Sequence, residues 1–540
     1  MKSTDAYASL VDLLDQALKR HAGRVACVSM GSTLSYAELD RLATAWAGWL
    51  QSLNLPSGSR VAIMLPNVMA SLVTLLGTLR AGHVVVNVNP LYTARELGLQ
   101  LKDCQPSVLV VFESFAHTVQ QLPDELAPSH VVVVSAGDVL PWAKRCLINW
   151  VVRHVKKRVP AWSLPKAVSF QNVLLEGQQV SFNAPTLKLD DLAFLQYTGG
   201  TTGVPRGAML SHGNVVANIL QVEDVAEPAL HDLLAQPLTM LTALPLYHVF
   251  AMTVCALYPL YAGMRIVLVI NPRDFPALTA LWKKESPHIF PAVNTLFAAL
   301  LRHPAFRELD FSRMRISLGG GMAIHPSVAQ QWQAVTGKTI VEGYGMSECS
   351  PVICANPTDA QRFSGSVGLP LAQTSVAILD DHQRPLPAGE IGEIAVRGPQ
   401  VMRGYWNAPQ ASAVAFTSDG YLLTGDLGQI QDNGFVRIVD RKKDMILVSG
   451  FNVYPTEIDM VFAEHPDVLD CAAIGVPDSE CGEVVKLFVV PKHEGVDVTA
   501  LKQWGAQNLT GYKRPREIVL VQSLPKNPVG KTLRRLLRDA

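Results

Sequence analysis

A single loop rich in glycine and threonine constrains this chain more than any other feature. It reads Tyr-Thr-Gly-Gly-Thr-Thr-Gly-Val-Pro-Arg-Gly from Tyr197 to Gly207, directly after the apolar run 192–195. Glycine lets backbone N–H groups approach an anion closely, and successive N–H groups form an anion-binding nest. Threonine hydroxyls and the Arg206 guanidinium add further donors and charge. The pattern therefore predicts a strand followed by a phosphate-binding loop rather than a plain surface turn.

A second glycine-containing stretch, Gly530-Lys531-Thr532, does not form a nucleotide-binding P-loop. Pro525 stands where the leading glycine of that motif belongs, and no strand–loop–helix pattern surrounds it. Lys531 therefore needs a different role.

Length and composition narrow the class of protein. With 540 residues, of which 49% are hydrophobic, the chain predicts at least two domains with a large core. A formal net charge of zero argues against nucleic acid as a partner. The eight cysteines include no Cys-x-x-Cys pair, which argues against a zinc site and a disulfide framework. Because the N-terminus lacks a signal-peptide pattern, we expect a cytoplasmic protein.

Residues 235–264 contain no Asp, Glu, Lys or Arg and are numerous enough to cross a bilayer. Pro237, Pro245 and Pro259 interrupt this stretch, and several prolines break the hydrogen-bond ladder of a spanning helix. We expect buried strands and helices of a water-soluble core instead.

The order of apolar segments predicts an α/β fold. Strand patterns occur at 60–65, 83–88, 108–112 and 131–135, with a helical pattern at 69–81. Similar alternation continues from residue 190 to about 350, which favours buried, partly parallel sheets. Residues 355–440 read as β-rich. A compact α+β unit follows, with strand patterns at 468–476 and 484–490.

Several motifs stand in a characteristic order along the chain, at 244–248, 317–321, 342–348, 421–426, 440–444 and 528–531. Together with the Gly/Thr loop they resemble the adenylate-forming enzymes, which include acyl-CoA synthetases, nonribosomal adenylation domains and firefly luciferases. The segments 86–93 and 439–455 are most similar to those of bacterial long-chain-fatty-acid–CoA ligases.

The resemblance implies a fold and a reaction. The fold is α/β, with a large N-terminal domain of two α/β sheets plus a distorted β-barrel, and a small α+β C-terminal lid domain. We expect the domains at 1–440, including the β-rich part at about 355–440, and at 441–540. The implied reaction joins an acid to AMP and then to CoA, with ATP and CoA as co-substrates and Mg²⁺ as cofactor.

Roles for individual residues also follow from the resemblance. Adenine would lie against Tyr344, and Asp426 and Arg441 would bind the ribose, while Ser347 would bind a phosphate. The adenine site would include Gly319, Gly320 and Gly321. The β- and γ-phosphates would lie in the loop formed by Thr198, Gly199, Gly200, Thr201, Thr202 and Gly203.

Four residues are the candidates for catalysis. Glu348 would hold Mg²⁺, and Lys531 would bridge the α-phosphate and the acyl carboxylate. Arg206 occupies a position where the family commonly has lysine, and Ser347 one where it has threonine, so charge and hydroxyl are kept. His248 either lines the acyl or thiol path or is a core histidine with satisfied hydrogen bonds.

The second half-reaction requires the lid to move, which the resemblance places at a hinge near Lys443. Ser449 and Gly450 would then line the route of the CoA pantetheine.

Residues 144–162 form a basic segment with Ile148, Val152, Val155 and Val159 on one predicted helical face. This pattern suits an interfacial helix on anionic lipid, and equally an amphipathic helix packed on the protein.

The sequence thus predicts a long-chain fatty acid–CoA ligase, with fatty acid, ATP and CoA as its partners. Alternatives are a medium-chain or aromatic acid–CoA ligase, a luciferase-like oxygenase, and a non-catalytic acyl-binding or membrane-scaffold protein. A cytoplasmic location, with or without peripheral contact at the inner face of the cell membrane, is expected. Monomer and homodimer both remain open.

Overall fold

The computed structural model describes residues 3–198, 205–233, 236–478, 481–527 and 530–538. Two large sheets, built from the first 370 residues, enclose the main hydrophobic core.

The first sheet is parallel except at one edge, where its last two strands form a hairpin. Its strands are short and almost entirely buried, which explains their continuous valine-rich runs. In spatial order they are Val168–Ser169, His130–Val134, Val108–Phe112, Arg60–Met64, Val84–Asn87, Leu192–Thr198 and Arg206–Ser211.

The second sheet is parallel in its centre and antiparallel at both edges. In spatial order its strands are Leu369–Pro370, Val352–Ala355, Ile340–Gly345, Ile316–Gly319, Ile289–Ala292, Thr239–Thr242, Arg265–Leu268, Val25–Ser29 and Ser32–Ser35.

Helices fill the space between the two sheets. Every residue of the helix Met69–Arg80 is buried, as expected for a helix that is apolar nearly all round. It packs on the helix Tyr36–Ser52, which starts at a capping box formed by Ser35 and Glu38. The other α-helices of this part are Leu10–Arg20, Ala94–Cys104, Ala116–Gln120, Trp142–Trp150, Phe170–Gly177, His212–Leu230, Tyr258–Tyr261, Phe275–Glu285, Asn294–Leu301, Pro304–Arg307, Pro326–Thr336 and Pro409–Ala415.

The β-rich part forms an antiparallel sheet of Ser375–Leu379, Gly392–Arg397, Leu422–Ile430 and Val436–Arg441. The resemblance implied a distorted barrel here. In the part of the chain that the structure describes, this sheet is open, because its first and last strands do not pair with each other.

The C-terminal part has its own sheet and its own hydrophobic core. Four antiparallel strands, Phe451–Val453, Ile446–Val448, Gly482–Pro491 and Val468–Asp478, are joined by a parallel strand, Glu517–Leu520. The helices Pro455–Ala463, Val498–Asn508 and Arg534–Arg538 accompany them.

The uncharged stretch 235–264 contributes buried elements to the core, as predicted. It contains the strand Thr239–Thr242, a π-helix at Ala251–Leu257 and the helix Tyr258–Tyr261. Across the described ranges, no helix is both long and apolar enough to span a membrane.

The basic segment differs from its predicted form. Its α-helix Trp142–Trp150 continues as a π-helix, Val151–Val155, and ends there, so Val159 lies outside it. The predicted apolar face is therefore divided, because Ile148 and Val152 are half-buried whereas Val155 is exposed.

Candidate active site

The predicted motifs meet at the carboxyl ends of parallel strands from both large sheets. The strand Leu192–Thr198 leads into the Gly/Thr loop, and Ile316–Gly319 leads into the glycine run. The two sheets are tied together here, since the Gln196 side chain donates to the carbonyl of Tyr247 over 3.1 Å. Ligands of open α/β sheets bind at this end of the strands.

Thr198 and Arg206 face each other across the hairpin that carries the Gly/Thr loop. Because these two residues pair, the predicted phosphate loop starts and ends at the same place on the sheet edge. Both residues are half-buried. The predicted positions Gly199, Gly200, Thr201, Thr202 and Gly203 lie outside the described residues.

Tyr344, Asp426 and Arg441 form a connected polar group. The Tyr344 hydroxyl donates to Asp426 Oδ2 over 2.7 Å, and Arg441 Nε lies 2.9 Å from Asp426 Oδ1. Asp426 and Arg441 are cross-strand neighbours, which explains why a strand pair can present both. The Thr424 hydroxyl accepts a hydrogen bond from the Asp426 amide within the same strand. The carboxylate is thereby held with defined orientation.

Glu348 is a buried carboxylate that accepts a hydrogen bond from a tyrosine. It lies in the short 3₁₀ turn Ser347–Cys349, and its Oε1 accepts a hydrogen bond of 2.9 Å from the Tyr405 hydroxyl. Burial raises the pKa of Glu348, although the Tyr405 hydrogen bond and the Arg441 charge act against this. A nearby cation would stabilise the ionised form of this carboxylate, which burial disfavours.

Tyr405 also connects Glu348 with the Gly/Thr loop. The Arg206 guanidinium lies over its ring at 5.7 Å from the centroid, a cation–π arrangement. Arg206, Tyr405 and Glu348 thus form a row of contacts at one side of the site.

Lys531 comes from the C-terminal part and is close enough to Arg441, Asp426 and His248 for their charges to affect one another. Burial and then the Arg441 charge lower the pKa of Lys531 to about 8, while Asp426 acts in the opposite direction. The Asn527 side chain accepts from the Lys531 amide over 2.8 Å and shapes the loop. The backbone that carries the ammonium group is therefore held by Asn527.

His248 lies at the same place, after the strand Thr239–Thr242. Burial and then the Lys531 charge lower its pKa to about 4, so the imidazole is neutral at pH 7. Its Nδ1 accepts from the Phe250 amide over 3.4 Å, which leaves the proton on Nε2.

The glycine run continues the strand Ile316–Gly319 into Gly320 and Gly321. A Cβ on Gly320 would lie 3.0 Å from the Phe250 ring, so a larger residue there would require that ring to shift by a few tenths of an ångström. Beneath the run, Glu342 accepts from the Ile324 amide, and burial raises its pKa to about 7. The floor of the predicted adenine site is thus tightly packed.

Ser347 begins the same turn as Glu348 and is half-buried. Ser449 and Gly450, by contrast, form the exposed turn of the hairpin Ile446–Val448 and Phe451–Val453. Space for a Cβ on Gly450 is open. In this arrangement the structure brings Lys531 to the site and leaves the predicted CoA-binding turn facing solvent.

An apolar cavity opens next to the polar groups. Tyr247 lines it together with Met252 and Ala256 of the π-helix. Other apolar walls come from Ile63, Leu72 and Leu75. Ser71 and Asn87 are polar residues of the lining, and Asn87 donates to Gln196 over 2.9 Å and to the Met252 sulfur over 3.1 Å.

Sequence reasoning missed several residues that the structure places in or beside the site. Tyr405 and Thr424 bond directly to predicted residues, and Asn527 holds the Lys531 turn. The separation of 57 residues between Tyr405 and Glu348 carries no periodic signal. The one available signal was the tyrosine of the aromatic pair Tyr405-Trp406, because a buried tyrosine hydroxyl usually finds a hydrogen-bond partner.

Comparisons with known proteins agree with this geometry. Residues 14–406 match the family model for the AMP-binding enzyme, and residues 457–531 match that for the AMP-binding enzyme C-terminal domain. The chain is 46% identical over 536 residues to the long-chain-fatty-acid–CoA ligase of Escherichia coli, covering 99% of this chain and 95% of that protein. It is 34% identical over 510 residues to feruloyl-CoA synthase of Amycolatopsis, covering 94% of each. The chain belongs to the AMP-binding enzyme family, and it is an ATP-dependent acid–thiol ligase.

Solved structures give the same result. MatB from Rhodopseudomonas palustris with bound ATP matches with a TM-score of 0.83 at 29% identity, covering 98% of each chain. Apo MatB matches with a TM-score of 0.73 at the same identity and coverage. The arrangement of this chain is therefore nearer to that of the ATP-bound form.

Proposed function

We propose that this protein is a long-chain-fatty-acid–CoA ligase that works through an acyl-AMP intermediate. The observation that carries the proposal is the convergence of Lys531 on Asp426, Arg441 and His248, next to an apolar cavity. The 46% identity to ligases of this name supports the choice of substrate.

In the first half-reaction, a carboxylate oxygen of the fatty acid attacks the α-phosphorus of ATP. The bond from that phosphorus to the bridging oxygen breaks, and pyrophosphate leaves. Two anions must meet, so catalysis consists mainly of charge neutralisation and positioning. Lys531 bridges the two reacting groups, and Arg206 stabilises the leaving phosphates.

Nucleotide binding uses the connected group described above. Asp426 accepts hydrogen bonds from the ribose hydroxyls, and Arg441 donates to the same sugar. Tyr344 and the run Gly319–Gly321 bind adenine, while Ser347 and the loop 198–203 bind the phosphates.

Glu348 is the residue that would hold Mg²⁺. Its burial and raised pKa fit a hard cation, because a metal charge compensates a carboxylate that lacks water. Mg²⁺ would supply charge neutralisation on the phosphates when bound.

The acyl chain would enter between Ile63, Leu72, Met252 and Ala256, which would have to move apart, since the cavity they line has a volume of only about 10 Å³. Such walls favour an alkyl chain, since each buried methylene contributes about 0.8 kcal/mol. The neutral His248, with its proton on Nε2, would donate to the acyl carboxylate rather than act as a base.

In the second half-reaction, the CoA thiolate attacks the acyl carbonyl and AMP leaves. For this step the lid, residues 441–540, would rotate about Lys443 and bring Ser449 and Gly450 to the site. Turns are suitable hinges, and Lys443 lies in the turn between Val436–Arg441 and Ile446–Val448. We place the enzyme in the cytoplasm, with peripheral contact at the inner face of the cell membrane.

A substrate panel tests the proposal. Purified protein with ATP, Mg²⁺ and CoA is given saturated acids from short to long chain, and AMP formation and CoA consumption are measured together. We expect kcat/KM to rise with chain length. Lys531→Ala should lower adenylation by about 10²- to 10³-fold, the loss typical of removing one key charge stabiliser. Lys502→Ala, an exposed lysine on the same domain, is the matched control.

A second candidate is an aromatic acid–CoA ligase, which the similarity to feruloyl-CoA synthase favours. Including ferulate and benzoate in the panel separates the two. Faster turnover of these acids than of any fatty acid would overturn the long-chain assignment. Absence of AMP formation with every acid would overturn ligase activity itself.

A further inference from the structure

The helix Trp142–Trp150, with its π-helical extension Val151–Val155, turns large apolar side chains towards solvent. Trp142 is 72% exposed, Leu147 60%, Trp150 56% and Val155 59%. These four residues, here called the tryptophan face, include both of the large exposed tryptophans in the described residues. A surface helix normally buries such a stripe against the core.

Polar groups occupy the inner side of the same helix. Arg145 donates to the Gln171 side chain over 2.6 Å, and the Asn149 carbonyl oxygen accepts from the Gly137 amide over 2.7 Å. Arg153 pairs with the buried Glu113 at 2.9 Å. These contacts fix the helix with its polar side inward, so the tryptophan face cannot turn in without breaking them.

The surrounding sequence is strongly basic. Residues 139–175 contain no Asp or Glu, although the whole chain has 46 acidic and 46 basic residues. The exposed cations Lys156, Lys157 and Arg158 directly follow the π-helix. The seven cations of this stretch are Lys144, Arg145, Arg153, Lys156, Lys157, Arg158 and Lys166.

We propose that the tryptophan face and its cations dock on the surface of an anionic phospholipid bilayer. Tryptophan suits the boundary between headgroups and acyl chains, because its ring is apolar with one polar N–H. Neighbouring cations are attracted by anionic headgroups. Leu147 and Val155 offer no stacking or hydrogen bonding to a nucleic acid, whereas both can enter lipid.

The benefit of this docking to the enzyme rests on the proposed function, whereas the docking itself does not. A long-chain acid partitions into bilayers, so an enzyme held at the surface would meet its substrate there. Binding itself depends on the exposed face alone and can be measured without turnover.

Cosedimentation of the full chain with vesicles tests the surface. With vesicles of phosphatidylglycerol and phosphatidylcholine in equal parts, the wild-type protein should bind at low salt and dissociate as salt rises. Vesicles of phosphatidylcholine alone should bind far less protein. Lipids brominated near the headgroup should quench fluorescence in the wild type and much less in Trp142→Phe/Trp150→Phe, if these two rings enter the interface.

Two sets of variants separate charge from apolar insertion. Lys156→Gln/Lys157→Gln/Arg158→Gln should weaken partitioning into anionic vesicles by about 100-fold. Trp142→Ser/Leu147→Ser/Trp150→Ser should weaken it by at least about tenfold. The matched controls remove exposed cations or exposed apolar groups elsewhere: Lys102→Gln/Arg302→Gln/Lys502→Gln, and Leu369→Ser/Val414→Ser. Both controls should bind as the wild type does.

Turnover of a soluble short acid, measured in parallel, reports the proposed function and the folding of each variant. Variants that lose vesicle binding but keep this turnover support the docking surface. If the wild-type protein does not bind anionic vesicles at low salt, the proposed docking surface is wrong, whatever the turnover of the protein. If the wild type dimerises in sedimentation velocity and the tryptophan variant alone becomes monomeric without any change in vesicle binding, the face is a contact with a second copy and the proposal is wrong.

Discussion

Lys531 lies in surroundings that disfavour the charged form of its ammonium group. Burial and the Arg441 guanidinium lower its pKa to about 8, below the usual value near 10.5. A lysine with a lowered pKa is charged below that value and neutral above it. The residue proposed to bridge two anions would therefore lose its charge at a mildly alkaline pH.

We expect kcat/KM for adenylation to fall as pH rises through about 8, since this parameter reports the ionisation of free enzyme. Pyrophosphate release, followed across pH 6 to 10 (a range of roughly two units either side of that pKa), measures the profile. Lys531→Arg should move the descending limb to higher pH, because guanidinium stays protonated. An unchanged limb in that variant would assign the ionisation to another group.

Tyr405 controls the environment of Glu348 through a single hydroxyl. Tyr405→Phe keeps the ring under Arg206 but removes the hydrogen bond to the carboxylate. We expect kcat/KM for adenylation to fall by about 10-fold or more, as for a bond to a charged group. The Mg²⁺ concentration for half-maximal rate should also change.

A Mg²⁺ titration of the adenylation rate checks this expectation. Tyr421→Phe is the matched control, because its hydroxyl bonds to Ser375 in the neighbouring sheet, away from Glu348. Equal effects of the two substitutions would mean that the lower rate reflects a loss of stability rather than a change at Glu348, the proposed Mg²⁺ ligand.

At the residue scale, the sequence proposed charged side chains for the site but did not show how they are connected. Asp426 and Arg441 were placed by resemblance to a family, and their pairing follows from strand register. The role of Tyr405 depends on a contact between distant segments. Such a contact arises from tertiary packing, which leaves no local pattern.

At the scale of elements, the apolar runs predicted the strands well. Strand patterns at 60–65, 108–112 and 131–135 became Arg60–Met64, Val108–Phe112 and His130–Val134, so these predictions are confirmed. Buried parallel strands are continuous in hydrophobicity, which makes them easy to recognise.

Two π-helices were not predicted. Ala251–Leu257 and Val151–Val155 differ from α-helices in hydrogen bonding, while their side-chain pattern looks ordinary. The orientation of the basic helix was equally hidden, because periodicity shows two faces without showing which one meets protein. The hydrogen bonds of Arg145 and Asn149 show which side of the helix faces the protein.

The turn between Val436–Arg441 and Ile446–Val448 is the proposed hinge for movement of the lid. The amides of Asp444 and Met445 both donate to the Arg441 carbonyl, so a proline at 443 removes neither bond. Lys443→Pro fixes φ at this position and should hold the present arrangement. We expect adenylation to survive and transfer to CoA to fail.

Burst formation of acyl-AMP, compared with steady-state CoA consumption, measures the two steps separately. Lys443→Ala is the control, because it removes the side chain and leaves the backbone free. Normal CoA transfer in the proline variant would place the hinge elsewhere.

At the scale of the whole molecule, the α/β class was predictable from the alternation of segments, and the two large sheets confirm it. The open β-rich sheet differed from the implied barrel, since closure depends on pairing between its first and last strands. How the C-terminal part sits on the rest was beyond the sequence as well. It depends on few contacts, such as that between the Lys531 turn and the site.

Gly530 lies close to Thr295 of the N-terminal part. Its φ of +86° is in the left-handed region, and a Cβ there would lie 2.5 Å from the Thr295 hydroxyl oxygen. Gly530→Ala should therefore prevent the Lys531 turn from seating, and adenylation should fail while transfer from supplied acyl-AMP to CoA continues. Isolated half-reactions measure this, and intact adenylation would contradict the steric role of Gly530.

The variants Lys443→Pro and Gly530→Ala would then have complementary defects, each able to perform the half-reaction that the other has lost. Mixed in one tube, they could make acyl-CoA only from adenylate that escapes one molecule and is captured by the other. The yield of the mixture, relative to the wild type, is a direct measure of leakage. A lid that serves both steps over a single cleft should make that leakage small, which would protect a hydrolysable mixed anhydride from water throughout its lifetime.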